Sequence, residues 1–325
     1  MTFVLVRKFL RDIRLPLAIV CLLVIAYECF WVKIAQRAAM QISPFFSTVA
    51  ERAGLYQRQI EDMLFSGPGR IVQTMAGGED IHFERAMDVL SIGYMHPLML
   101  IVFCVWGVGR AASAIAGELG RGTIELLLAQ PVPRSRLVLA HFLVDLLVIP
   151  IIALSMWAGT ALGFQLVGSF EVSPENVQQM FGKLPFKVVV DPKMLATDLT
   201  AFGPALANIA ALIFAFSGMT IAISAAGRFR FRVLGWAVLL VLVQFIANLI
   251  GQLWDTLAFL RPFTAFYYYQ PQQIILNKRW TVDLLAGMGS SPVPVNVVAV
   301  LVSVGLVGYL IALVIFRRRD LPAPL

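Results

Sequence analysis

The chain has 325 residues, 59% of them hydrophobic and only 14% charged, with a mean hydropathy of +0.81. A soluble domain is roughly half apolar and a quarter charged, so this composition excludes an ordinary soluble protein and suits a lipid environment. The net charge of +7 does not point to nucleic acid, because the bases cluster at the ends of apolar runs, as in membrane proteins that hold Lys and Arg on the cytoplasmic side.

In chain order, residues 3–14, FVLVRKFLRDIR, place Val6, Phe9, Leu10 and Ile13 on one helical face and Arg7, Lys8, Arg11 and Arg14 largely on the other. Residues 1–14 are thereby predicted to form a basic amphipathic helix on the membrane surface. Pro16 is expected to turn the chain into a first span over 15–34, which carries one acid, Glu28, and is retained because no small-residue cleavage site follows it. Residues 36–90 are polar, with GPGR at 67–70 and AGGED at 76–80 as breakers, and are expected to form a helical insert outside the membrane.

A second span is predicted over 92–116, a polar segment over 117–136, and a third span over 137–167 with Pro150 as a kink point. The fourth and fifth spans, 200–226 and 233–254, are joined by a turn carrying Arg228, Arg230 and Arg232. The outer loops are 168–198 and 255–292, and the sixth span, 293–316, ends at Arg317, Arg318 and Arg319. Phe266 to Tyr269, with Trp254 and Trp280 nearby, are expected to form an outer interfacial belt. The fold class is therefore an all-α membrane protein of six transmembrane helices. All four basic segments then fall on one side, which places both termini in the cytoplasm. A retained N-terminus and this charge pattern suit a bacterial inner (plasma) membrane.

Three cysteines, Cys21, Cys29 and Cys104, lie within or beside apolar runs without metal-ligand spacing, so neither a disulfide framework nor a zinc site is expected. The three histidines form no H-E-x-x-H set, and no G-x-x-x-x-G-K-[ST] sequence is present, so the chain is not expected to be an enzyme or to hydrolyse ATP by itself.

The segment 117–145, GELGRGTIELLLAQPVPRSRLVLAHFLVD, carries the strongest functional signal. A short helix is predicted from Thr123 to Ala129, released from the second span by Gly120 and Gly122 and stopped by Pro131 and Pro133. Thr123 caps its start, Glu125 lies near the positive end of its dipole, and Ile124, Leu127 and Leu128 form an apolar face outside the lipid. Such a face is compatible with a plain interfacial loop and with a partner protein.

Glu118, Gly122, Thr123, Ile124, Glu125, Leu127, Leu128, Ala129, Pro131, Val132 and Arg134 together resemble the coupling-helix region of type-2 ABC transporter permeases. The six-span layout is similar over the whole chain, and the long insert resembles the subgroup of nitrous-oxide-reductase-maturation and sodium-extrusion permeases. The resemblance implies an exporter in which two permease copies, identical or paralogous, pair in the bilayer. Two separate ABC ATPase subunits, holding ATP and Mg, dock beneath them. Glu118, Thr123, Glu125 and the Ile124–Leu128 face would contact the ATPase, with Arg121 and Arg134 flanking. An ATP-independent secondary transporter or channel is the alternative, although no internal repeat supports it.

Ionisable and amide residues inside spans are suspects for a translocation path. Glu28 is one, expected to reach the interface or pair with a base such as Lys33. Gln244, Asn248 and Gln252 form a stripe on the fifth span that fits a path and interhelical bonding equally. His141 and Asp145, four residues apart, are expected to hydrogen-bond on one face, and Gly159 and Gly163 to form a small-residue packing contact.

Overall fold

The computed structural model describes residues 2–53, 85–122, 133–168, 170, 195–289 and 291–319, with the backbone alone for 41–53. Within these residues six helices are long and apolar enough to cross a membrane. The first, α1 (Thr2–Ala53), runs unbroken through Pro16, so the amphipathic segment and the first span are one helix rather than two. Proline removes one amide donor, and the carbonyl it orphans belongs to Asp12, an exposed residue at the membrane-surface end, where water can satisfy it.

The second crossing is α2 (Ala86–Met95) followed by α3 (Pro97–Ala114), so it begins earlier than residue 92. Its break is local chemistry. Pro97 occupies the first helical turn, and His96 Nδ1 accepts the Leu98 amide at 3.3 Å. The short α4 (Ala116–Gly120) follows. The third crossing, α5 (Arg134–Val167), contains Pro150 and ends at Gly168, whose φ of 75° suits a residue without Cβ. A 3₁₀ turn (Leu199–Phe202) leads into α6 (Ala205–Ala226), and α7 (Arg230–Leu253) starts before residue 233, taking Arg230 and Arg232 into its first turn. The last crossing, α9 (Val297–Arg318), is capped by Asn296 Oδ1, which accepts the amides of Val298 and Ala299 at 3.0 Å.

The loop between α7 and α9 is folded. Two 3₁₀ segments, Asp255–Phe263 and Ala265–Tyr268, are followed by α8 (Pro271–Asn277). An antiparallel pair, β1 (Thr281–Asp283) and β2 (Pro294–Asn296), sets Val282 opposite Val295 and adds a small hairpin to the otherwise helical fold. The aromatic run is not an interfacial belt: Phe266, Tyr267, Tyr268 and Tyr269 are all buried. Their hydroxyls explain why. Tyr267 donates to Asp283 O at 2.7 Å, Tyr268 to Pro262 O at 2.8 Å, and Tyr269 to Tyr94 O. Asn208 of α6 completes the anchor, donating to Tyr268 O at 2.9 Å and accepting from the Gln270 amide at 2.8 Å.

Glycines decide which helices meet. A Cβ on Gly159 would lie 2.7 Å from Glu28 Cβ, and one on Gly163 would lie 2.8 Å from Val32 Cβ, so the expected small-residue contact seats α5 against α1. A tighter crossing joins α6 to α9, where a Cβ on Gly308 would fall 2.2 Å from Gly218 backbone. α1 also packs on α2, where the Trp31 Nε1–H donates to Val89 O at 3.1 Å, but it makes little contact with α3. The first crossing therefore stands apart from the α3 part of the second.

Candidate functional site

The expected partner-binding segment is described at its two ends only; Thr123, Ile124, Glu125, Leu127 and Leu128 lie outside the described residues. Its entry is built by Ser224 of α6. The Ser224 hydroxyl oxygen accepts the amides of Ile115 and Ala116 at 3.3 and 3.1 Å, and its own proton goes to Ala112 O at 3.3 Å. Those amides are freed where α3 gives way to α4, so the elbow into the segment is pinned to the fourth crossing. Glu118 is buried on α4 and accepts from Arg121 Nη2 at 2.8 Å, while the Arg121 side chain stays mostly exposed. Gly122 then leaves α4 with φ of 70°.

At the exit, Arg134 does not project freely: its Nη1 donates to Arg319 O at 2.5 Å. Arg319 in turn donates from Nη1 to Ala225 O and Gly227 O, both at 2.8 Å, closing the carbonyl end of α6. Partial burial, with Arg228 close by, lowers the Arg319 pKa. Phe9 of α1 stacks on His141 of α5 at 4.2 Å between ring centroids. The four basic segments thus gather at one end of the bundle, as the charge pattern anticipated.

A charged cluster lies deeper, where four crossings converge. Asp145 Oδ2 of α5 accepts from Arg110 Nη2 of α3, Ser217 Oγ of α6 and Tyr309 OH of α9. Arg110 Nη2 also lies 3.3 Å from Tyr309 OH and 3.4 Å from His141 O, with Nη1 3.4 Å from His141 Nδ1. The side chains of Arg110 and Asp145 are 8% and 1% exposed. A buried ion pair recovers its desolvation cost only where further hydrogen bonds satisfy it; here two hydroxyls and a carbonyl supply some of them, and Asp145 Oδ1 and Arg110 Nε have none among the described residues. His141 and Asp145 make no bond with each other; both turn to Arg110. Arg110 escaped the sequence reading because a lone base near the end of an apolar run looks like an interfacial residue. Its signal was an opposite charge, Asp145, at matching depth in the next span.

Glu28 neither reaches the interface nor pairs with Lys33, whose Nζ donates to Gln36 Oε1 at 2.8 Å. It is 1% exposed beneath α5, because Gly159 and Gly163 let the helices close over it. Thr160 Oγ1 lies 3.4 Å from Glu28 Oε2 and 2.9 Å from Tyr94 OH, while Glu28 Oε1 has no hydrogen-bond partner among the described residues. On α7, Gln244 Oε1 accepts the Ala265 amide at 2.9 Å and its Nε2 lies 3.7 Å from Met219 Sδ, so Gln244 ties α7 to the folded loop before α9 and to α6. Among the described residues Asn248 Oδ1 is buried without a bond, and Gln252 has partners of its own one turn further on.

No group of three or more potential metal ligands occurs among the described residues. The family model described as ABC-2 family transporter protein matches residues 6–321, almost the whole chain. No curated protein and no solved structure matches it.

Proposed function

This chain belongs to the ABC-2 family of transporter proteins, and from that premise we propose that it is the membrane-spanning permease subunit of an ABC exporter driven by a separate ATPase. The observation that carries this reading is the family match across all six crossings. The residues 117–136 are the docking element, with Glu125 and the Ile124–Leu128 face seated on the ATPase and Glu118, Arg121, Thr123 and Arg134 at its borders. Two ATPase subunits bind ATP and Mg; two permease copies, identical or paralogous, share the bilayer. Both termini and the docking element lie in the cytoplasm, in the inner (plasma) membrane of the cell. The long insert at 36–90 supports membership of the subgroup that includes nitrous-oxide-reductase-maturation and sodium-extrusion permeases.

The elbow gives this mechanism a physical route. Ser224 holds the amides at the start of α4 to α6, and Arg319 holds the end of α6 to the C-terminus of α9. A push on the docking element would therefore reach the third, fourth and sixth crossings without passing through a slack loop. Glu28, Gln244, Asn248 and Gln252 are the candidates for contact with cargo, on α1 and α7, the crossings with the smallest buried share; Glu28 would be reached only if α5 parts from α1.

The test is affinity purification of the tagged chain in mild detergent, wild type beside Glu125→Arg. Co-purification of a P-loop ATPase, reduced at least tenfold in the variant, is the expected result. Wild-type chain that purifies intact with no ATPase in several mild detergents would establish the stand-alone transporter or channel instead.

A further inference from the structure

The parting of α1 from α3 leaves a slot of about 410 Å³ at the basic end of the bundle. One wall is a stripe of α1, Phe9, Ile13, Pro16 and Val20, spaced as one helical face. This stripe is roughly 16 Å long at the helical rise. The facing wall is Val105, Trp106 and Gly109 of α3. Most of the lining is apolar; its polar members include Asp12 on α1, the buried or half-buried Arg110, Ser113 and His141, and the exposed Arg121 and Arg230 at the mouth.

Among the described residues the Nε1–H of Trp106 and the Nε–H of Arg110 have no hydrogen-bond partner, but both atoms are closed off from the slot, so the charge around its mouth selects the occupant. The acids on the lining are Asp12 and Glu118; Glu118 is paired with Arg121 and Arg110 with Asp145, so the excess positive charge is Arg230 together with Arg7, Lys8, Arg11 and Arg14 around Asp12 on α1. The field at the mouth therefore favours an anion. Beyond the slot, Leu15, Ile19, Ile101 and Val105 are exposed apolar side chains on the same two helices, a surface made for acyl chains.

We propose that this slot binds an anionic phospholipid of the leaflet at the basic end, with the phosphate towards Arg110, Arg121 and Arg230 and one acyl chain along Phe9, Ile13, Pro16 and Val20. Basic pockets between crossing helices hold lipid headgroups by this combination of charge and depth. The proposal does not rest on ATPase docking, although Arg121 borders both the slot and the docking element.

Gly109 supplies the sharpest test. A Cβ there would meet nothing within 4 Å, so Gly109→Leu fills the slot without a clash and improves helix propensity. The purified chain in mild detergent is titrated with phosphatidylglycerol or phosphatidylcholine carrying brominated acyl chains, and tryptophan quenching is followed. Phosphatidylglycerol should give a saturable component that Trp106→Phe and Gly109→Leu both abolish. In the exposed pair Arg121→Gln/Arg230→Gln it should weaken roughly tenfold or more, while phosphatidylcholine gives no such component. Equal quenching by both lipids, or full quenching in Gly109→Leu, would overturn the proposal. So would loss of the component in millimolar inorganic phosphate, which would reveal a site for a free anion. A disulfide between two copies of Gly109→Cys would place a second copy of the chain in the slot and overturn it equally. The exposed arginine pair keeps the test decisive should a slot variant fail to fold.

Discussion

Two polar clusters sit inside the same apolar bundle, and they solve the cost of burial in opposite ways. At the basic end, Arg110 meets Asp145, and Ser217 and Tyr309 from two further helices add their hydroxyls to the same carboxylate oxygen. At the other end, Glu28 meets no base among the described residues; a threonine hydroxyl approaches one oxygen, and the second, like Asp145 Oδ1, has no bond there. The first cluster is balanced by charge and is a junction of four crossings. The second is held by closure, since the glycines of α5 bring backbone and side chains over it. A balanced cluster depends on the identity of its members, whereas a covered one depends on the shape of its cover.

The largest effect should come from unbalancing the first cluster. Asp145→Ala leaves Arg110 buried without its counter-charge and should cost about 3–5 kcal/mol, read as lost monodisperse protein and a lower Tm in detergent. Arg110→Met combined with Asp145→Leu should recover much of that loss, because a neutral pair needs no balance. If the double variant is as unstable as the single one, charge is not what this junction depends on. Next comes the cover of the second cluster. Gly159→Leu drives a side chain into Glu28 and the Ile25 backbone and should destabilise by about 1–3 kcal/mol or more, beyond any gain in helix propensity. The smallest effect is expected from Glu28→Gln, which keeps the volume and an oxygen for Thr160. A Tm within a few degrees of wild type is the expected outcome, and a collapse comparable with Asp145→Ala would erase the distinction between the clusters.

Much of this candidate site was readable along the chain. The basic ends could be grouped from charge alone, and the contact at Gly159 and Gly163 followed from their spacing. Glu125 and its neighbours carry a motif resemblance and lie outside the described residues. Arg110 was not, because its meaning lies in Asp145, Ser217 and Tyr309, which are distant in sequence. The tyrosines at 267–269 misled for a related reason: aromatic rings beside a span look alike whether they face headgroups or a folded loop, until the partners of their hydroxyls are known.

By itself the sequence determined where the crossings lie, which ends are basic and the family to which the chain belongs, since hydropathy over a helix length and local motifs are properties of neighbours. The tertiary structure decided that α1 continues through Pro16, that Glu28 is covered rather than paired, and that a slot opens between α1 and α3. Those outcomes depend on which helix faces meet, and that is settled by contacts between glycines, hydroxyls and charges brought together from distant parts of the chain.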